Sequence, residues 1–215
     1  MATQRGRVDE VLGRLDVAID YEMGVNLAQV AAGLTDTVAA GVLTLAGDLR
    51  GAASNLGASA EVSGSAVEWN GVALDQVTAA LAMTPTNVTL STARVAVAGG
   101  EVVAEGGVAL NEALSGRLRA AWDAIDLDRV LAVIGVESPV SVGTSAGELE
   151  ASWTAVDPRA VTLSAHHQSD PDADGPGLRL KAADGRWRVA LDAPVAPSAR
   201  VVGEVEAIIS DDWAS

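Results

Sequence analysis

The sequence predicts an all-β protein built as an elongated antiparallel meander with one or two short helices. Apolar residues alternate at period two over most of the chain, for example in residues 15–23, 102–110 and 187–191. Pairs of turn-forming residues separate these alternating runs, and helical spacing is confined to short segments. We therefore expect ten to fourteen strands, each exposing one apolar face.

The turn signals identify hairpins within this meander. Asn70-Gly71, Gly99-Gly100 and Asp184-Gly185 each lie between two alternating runs. Asn-Gly, Gly-Gly and Asp-Gly pairs favour the two-residue turns that require positive φ at both central positions. The sequence therefore predicts tight antiparallel hairpins at these three places.

The alternation changes phase once within a single predicted strand. Val88 and Leu90 share one parity, whereas Val95 and Val97 share the other. A one-residue slip would turn the apolar side chains to the opposite face. The sequence therefore predicts an irregularity near residues 91–93 that restores the apolar side.

Short helices are predicted where apolar residues recur every three or four positions. Residues 26–34 and 126–134 show this spacing, the second after an N-terminal acid, and residues 8–15 could form one or two turns.

An internal repeat divides the chain. Gly13-Arg14-Leu15 recurs 103 residues later at 116–118, and each copy starts an alternating strand that runs into a predicted short helix. A glycine-led strand follows each helix, aligning 41–49 with 147–155. The repeat predicts three parts of the chain. Residues 1–12 form an N-terminal segment that is open to a helical interpretation. Residues 13–115 form a first β-repeat unit, and residues 116–215 form a second unit of the same continuous sheet. Chance similarity in a chain rich in Ala, Val and Gly is the alternative.

Composition excludes several classes of function. The chain has 215 residues with 14 basic and 29 acidic side chains, a net charge of −15, which argues against nucleic-acid binding. The absence of cysteine excludes disulfides, thiolate metal sites and cysteine nucleophiles. No stretch approaches the roughly 20 apolar residues of a membrane span, and acids interrupt the first residues where a signal peptide is apolar. These features indicate a soluble chain, either cytosolic or part of a longer protein.

Candidate metal and catalytic chemistry is sparse. Asp170, Asp172 and Asp174 match the first half of a calcium loop, but Lys181 occupies the twelfth position, where a glutamate ligand is needed. A solvated loop between strands is the favoured interpretation. His166 and His167, the only histidines, should point to opposite faces of a strand and so cannot chelate one ion together. A Ser-His-Asp triad assembled in space is left open, and no cofactor is predicted.

Three segments resemble the AsmA/TamB superfamily of bacterial envelope proteins. They are residues 63–77 (SGSAVEWNGVALDQV), 90–110 (LSTARVAVAGGEVVAEGGVAL) and 118–130 (LRAAWDAIDLDRV). The resemblance covers roughly residues 13–165 and lies in the order and spacing of these phrases. The N-terminal anchor helix of full-length members and the C-terminal TamB region have no counterpart here.

The resemblance implies a β-taco, a curved β-sheet whose apolar inner face forms a groove for phospholipid acyl chains. It further implies a non-catalytic role in phospholipid transport between the inner and outer membranes, and for TamB in outer-membrane protein assembly. The implied location is the periplasm, with an inner-membrane anchor in another part of the parent chain. Implied partners are phospholipid, an outer-membrane assembly protein and neighbouring β-repeat units. The alternative is a structural β-module, an adhesin or spacer domain with a closed core and no lipid.

Alternation phase predicts which side chains would line such a groove. Each predicted residue occupies the phase that carries the large apolar side chains of its own strand. The predicted lining residues are Leu90, Val97, Val102, Leu118, Trp122, Leu149, Trp153, Leu163, Leu180 and Val189.

Overall fold

One antiparallel sheet of 13 strands makes up almost the whole of the described protein. A computed structural model describes residues 16–31, 38–52, 55–133, 143–169, 176–196 and 199–208. Consecutive strands are neighbours in the sheet, except that the two-residue strand β2 pairs with β4 off the main path. The predicted all-β meander is therefore confirmed. The sheet is neither closed nor strongly curled.

The strands are mostly long, and the helices are short. Helix α1 is Leu27–Ala31, helix α2 is Leu127–Val133, and Pro158–Ala160 forms one 3-10 turn. No helix in the described ranges is long and apolar enough to cross a membrane. The strands are β1 Asp16–Asn26, β2 Ala39–Ala40, β3 Val42–Ala52, β4 Gly57–Trp69, β5 Val72–Met83, β6 Asn87–Val97, β7 Gly100–Ala109, β8 Gly116–Asp126, β9 Thr144–Trp153, β10 Val161–Ser169, β11 Gly177–Ala183, β12 Arg186–Ala196 and β13 Ala199–Ile208.

Both helices begin where the sequence predicts a helix. The Asn26 side chain accepts a hydrogen bond from the Ala28 backbone N–H (3.0 Å), and the Asp126 side chain accepts one from that of Arg129 (3.1 Å). Such caps satisfy backbone donors that the first turn leaves free. The predicted N-terminal segment 1–12 and the predicted turns in 8–15 lie outside the described residues.

The internal repeat reappears in the hydrogen bonding around the two helices. Leu27 N donates to Gly41 O, and Leu127 N donates to Gly143 O, both at 3.0 Å. Gly41 is thus equivalent to Gly143, and the alignment of 41–49 with 147–155 is wrong. The equivalent glycines have positive φ, 103° and 74°, at the start of a strand, whereas Gly147 lies inside β9. Because β7 pairs with β8, the sheet continues across the boundary at 115/116.

Two of the three predicted hairpin turns are confirmed, and the third is displaced by one residue. Positive φ values mark Asn70-Gly71 (49° and 84°) and Asp184-Gly185 (51° and 72°). The third turn is Ala98-Gly99 (49° and 83°), because Val97 pairs with Gly100 and leaves these two residues between them. Gly100 instead allows the backbone of β8 to approach: a Cβ there would collide with Asp123 and Ala124.

A β-bulge accounts for the change of phase in β6. Leu90 pairs with Gly106 and Ala93 pairs with Ala104, so β6 carries one residue more than β7 in this interval. The predicted irregularity near 91–93 is confirmed. As a result, Leu90 and Val95 lie on the same side of the sheet despite their opposite parity.

The two sides of the sheet differ in chemistry. The side that contains Leu118 is here called the apolar face, and the other side the polar face. Exposed ion pairs link neighbouring strands on the polar face, including Arg119–Glu150 (2.8 Å) and Arg94–Glu101 (3.2 Å). Pairs of this kind stabilise by about 0–1 kcal/mol each. A depression of about 500 Å³ on this face is lined by Arg119, Glu150 and His166, among others.

A buried apolar cluster lies at one corner of the apolar face. Helix α1 covers the ends of β4 and β5, where Leu27, Ala31, Ala39 and Val67 are buried. Elsewhere on this face most side chains are only half-buried. The described strands form a single layer, so they do not build the closed core that the structural-module alternative requires.

Candidate functional site

The candidate site is the apolar face, where the strand register brings the predicted lining residues together. Paired residues of neighbouring strands point to the same side, so the register can be followed across the sheet. Side chains that are paired from strand to strand form rows across the sheet. The first row, from β6 to β10, consists of Leu90, Gly106, Leu118, Ala151 and Leu163. The second row, from β8 to β12, consists of Ala120, Leu149, Ala165, Leu180 and Val189. Val102 and Trp122 form a third row, and Val97 and Trp153 lie toward opposite margins. Every predicted lining residue is on this one face.

The apolar face is open and carries no charge. Among the paired residues of the described strands, no Asp, Glu, Lys or Arg side chain lies on it. Exposure is greatest on the outermost strands, with Ile19 at 51%, Met23 at 49% and Val205 at 68%. A contiguous exposed apolar surface is typical of an interaction site or a lipid contact.

Three aromatic side chains lie flat against this face, each across a glycine of the neighbouring strand. A Cβ on Gly147 would collide with the Trp122 ring, one on Gly116 with Trp153, and one on Gly47 with the Tyr21 hydroxyl. The indole N–H of each of these two tryptophans and the hydroxyl of Tyr21 donate a hydrogen bond; Trp153 Nε1, for example, donates to Leu114 O (2.7 Å). The rings therefore cover the backbone without projecting from the sheet.

A small polar cluster interrupts the apolar face near the start of β9 and the end of β10. Trp122 Nε1 donates to Ser145 Oγ (2.9 Å), Ser145 Oγ lies 2.9 Å from His167 Nδ1, and His167 Nε2 lies 3.1 Å from Ser169 Oγ. The Trp122 and His167 rings stack, with centroids 6.4 Å apart. Ser145 and Ser169 are buried, at 2% and 4% exposure.

Sequence reasoning did not identify this cluster. A usable signal was present, because Ser145, His167 and Ser169 all occupy the apolar phase of their own strands. The prediction that the two histidines face opposite sides is confirmed: His166 pairs with Glu148, and His167 pairs with Gly147.

The cluster resembles a nucleophile–base pair only in part. Ser145 Oγ is within hydrogen-bond distance of a histidine, as a nucleophile would be. However, Ser145 is buried, and the second ring nitrogen of His167 is bonded to Ser169 rather than to a carboxylate. The observed bonds satisfy polar groups that would otherwise be buried without partners.

Burial lowers the pKa of His167, with a smaller contribution from the positive charge of His166. The unfolded chain therefore takes up a proton near the ordinary histidine pKa of about 6.5, whereas the folded protein does so only at lower pH. We expect the melting temperature to fall as pH decreases from 6.5 through the lowered pKa, and to be independent of this group at higher pH.

Thermal melting of His167→Asn between about pH 7.5 and 5 tests this, since the window brackets the ordinary histidine pKa. The loss on acidification should become smaller in His167→Asn and persist in His166→Asn, which alters the adjacent histidine on the polar face. An equal loss in both variants would contradict the assignment. The carboxyls of Asp48 and Asp157 have pKa values lowered mainly by hydrogen bonds from Ser59 and Arg159, and they titrate below this window.

The candidate calcium ligands Asp170, Asp172 and Asp174 lie outside the described residues. Within the described ranges, no three His, Cys, Asp or Glu side chains come close enough to hold a metal ion.

Comparison with protein-family models, with curated proteins and with solved structures gives no match to this chain. Its function is therefore inferred from its residues and their geometry.

Proposed function

We propose that this chain is a non-catalytic segment of an AsmA/TamB-like envelope protein whose apolar face holds phospholipid acyl chains during transfer between the inner and outer membranes. The observation that carries the proposal is the open, charge-free apolar face, which extends over twelve consecutive neighbouring strands. The family in this proposal comes from the sequence resemblance. The strand register supports the proposal because all predicted lining residues lie on one side of the sheet.

The hydrophobic effect alone is sufficient to hold a phospholipid by its acyl chains. Each methylene removed from water contributes about 0.8 kcal/mol, so a short length of acyl chain on the face gains several kcal/mol. No cationic anchor is required, and a chain of net charge −15 can therefore bind lipid while the headgroups remain in water. A charge placed on this face beside a tail would lose hydration without gaining a partner.

In this proposal the sheet curves in the full-length protein into a β-taco, with the apolar face inside. Half-buried alanines such as Ala120 and Ala165 leave shallow positions between the larger side chains. In the described residues β1 and β13 each pair on one side only, so each offers an edge to a neighbouring β-repeat unit of the parent chain. The location proposed is the periplasm, with the membrane anchor and the contacts to an outer-membrane assembly protein elsewhere in that parent chain.

The competing function is a purely structural spacer. It is favoured by the ion pairs that connect successive strands on the polar face, for example Arg119 with Glu150 and Arg50 with Asp20. Such a module would need no lipid, and its apolar face would be covered by protein.

Lipid content separates the two functions. We expect organic extraction of the purified, folded protein to release phospholipid that survives washing, identified by mass spectrometry against an acidic β-protein prepared in parallel. Circular dichroism on the same sample establishes that it is folded. Folded protein that carries no phospholipid, and that takes none up from phosphatidylcholine vesicles, would overturn the lipid proposal.

A further inference from the structure

Strand β13 forms an open edge that carries exposed apolar side chains on both sides. In the described residues it pairs only with β12, so one row of its backbone N–H and C=O groups has no strand partner there. Val201 and Val205 lie on the apolar face, and Val202 and Ile208 lie on the polar face. All four are at least half exposed, with Val202 at 74%. An exposed edge of this kind is a template for pairing with another chain.

Strand β13 lacks the lysine, proline and bulge that protect many edge strands. From Arg200 to Ile208 it pairs with β12 without interruption, and this segment contains neither lysine nor proline. The opposite edge of the sheet differs, because β1 presents Asp16, Asp20 and Glu22 on its polar face. Strand addition is therefore favoured at β13, whereas charge opposes it at β1.

The side chains of β13 are complementary to a second copy of the same strand. A two-fold axis between two antiparallel copies is perpendicular to the sheet, so it places residues of the same face opposite each other. With the axis at Gly203, residues 199–207 of the two copies align. Val201 of one copy then comes opposite Val205 of the other, and the symmetry repeats this contact. Apolar β-branched pairs across strands are stabilising.

The charges of β13 favour the same register. Arg200 comes opposite Glu206, again twice, and Val202 comes opposite Glu204, so no carboxylate faces another carboxylate. Other antiparallel pairings of the two edges do not have this property. When β1 is aligned over most of its length with itself or with β13, carboxylates come opposite carboxylates, because the acids of β1 lie near its centre. Charge complementarity therefore selects β13 of a second copy as the occupant of this edge.

We propose that this chain forms a two-fold dimer in which the β13 strands of two copies pair antiparallel about Gly203. The two sheets become one, and both apolar faces lie on the same side because the axis is perpendicular to the sheet. This inference goes beyond the proposed function and does not depend on bound lipid. It assigns the β13 edge to a second copy and leaves the β1 edge to a neighbouring β-repeat unit.

The oligomeric state of the unmodified protein is the first test. Sedimentation velocity in about 150 mM salt, where the Debye length of about 8 Å screens much of the repulsion between two chains of net charge −15, should show a discrete dimer that dissociates on dilution. A monomer at all concentrations would overturn the proposal. An open series of larger species, the product of β13 pairing with β1 of the next copy, would overturn it as well.

The charge at Val202 tests which strand is the partner. Val202→Glu places a carboxylate opposite Glu204 of the second copy, whereas Val202→Lys places an ammonium group there. We expect the dissociation constant of the Val202→Glu dimer to be roughly tenfold or more above that of the Val202→Lys dimer. Because Val202 is exposed, both variants should keep the fold, which circular dichroism checks. Equal dissociation constants would overturn the proposed pairing.

Ala18→Glu and Ala18→Lys are the matched controls at the other edge. Ala18 is exposed on the polar face of β1, and the two substitutions change the net charge by the same amounts. Their dimers should dissociate alike. A difference as large as that expected at Val202 would place β1 in the interface and overturn the proposal.

A single thiol tests the register. The chain has no cysteine, so Gly203→Cys and Val205→Cys each introduce one, and a Cβ at Gly203 meets nothing within 4 Å. The two thiols at position 203 would lie directly opposite each other, whereas those at position 205 would lie about 14 Å apart along the strands, at roughly 3.4 Å per residue. A short bifunctional thiol reagent should therefore link the Gly203→Cys dimer and leave the Val205→Cys dimer unlinked. Any other pattern would overturn the pairing about Gly203.

Discussion

Replacing Gly147 by alanine is expected to destabilise the protein by about 2–4 kcal/mol, because overpacking costs about 1–3 kcal/mol and the loss of a hydrogen bond adds about 1 kcal/mol. A Cβ at this position would collide with His166 O and with the indole ring of Trp122. The carbonyl belongs to the neighbouring strand and can move only by disturbing the ladder, and the clash with the indole is relieved only if the ring lifts. Lifting the ring would break its bond to Ser145 and its stacking on His167.

Gly203→Ala is the matched control. Gly203 lies on the apolar face of β13, and a Cβ there would meet nothing within 4 Å. Alanine at this site should therefore be neutral or slightly favourable. Chemical denaturation of the two variants, followed by tryptophan fluorescence, measures the difference. Similar stabilities would mean that the Trp122 ring does not lie flat on Gly147 in solution.

Leu163→Arg is expected to remove most of the bound phospholipid while leaving the sheet largely folded. Leu163 lies on the apolar face between Ala151 and Ala182, and an arginine there would place a charge beside the acyl chain. In the empty protein the same arginine can reach water, because the face is open. Loss of lipid with retained structure is thus the specific consequence of an open face.

Ser164→Arg supplies the control for this variant, since Ser164 is the next residue of β10 and pairs with Glu150 on the polar face. It should keep both the fold and the lipid. The measurement combines thermal melting with phospholipid content for the two proteins. Unfolding of Leu163→Arg would indicate a dry, covered core, and a folded variant with its full lipid complement would refute the lipid assignment at this position.

Local rules predicted most of the architecture, because a meander is made almost entirely of neighbouring pairs. Alternation located the strands, and Asn70-Gly71 located a hairpin because its turn needs positive φ at both positions. The opposed parities of Val88 and Val95 were sufficient to reveal the bulge in β6. The turn predicted at Gly99-Gly100 was displaced by one residue, to Ala98-Gly99. Two adjacent glycines do not indicate which of them occupies the turn.

The sequence by itself determined which face of the sheet each strand residue occupies. Period-two alternation placed every predicted lining residue on the same face. Only the tertiary structure decided which side chains meet across strands. It brought Ser145 and His167 within 2.9 Å, laid Trp122 over Gly147, and made Gly143 rather than Gly147 the equivalent of Gly41. It also left the described sheet as a single open layer. These contacts and the open layer depend on the pairing register and on how the strands are connected. The residue pattern along a single strand contains neither kind of information.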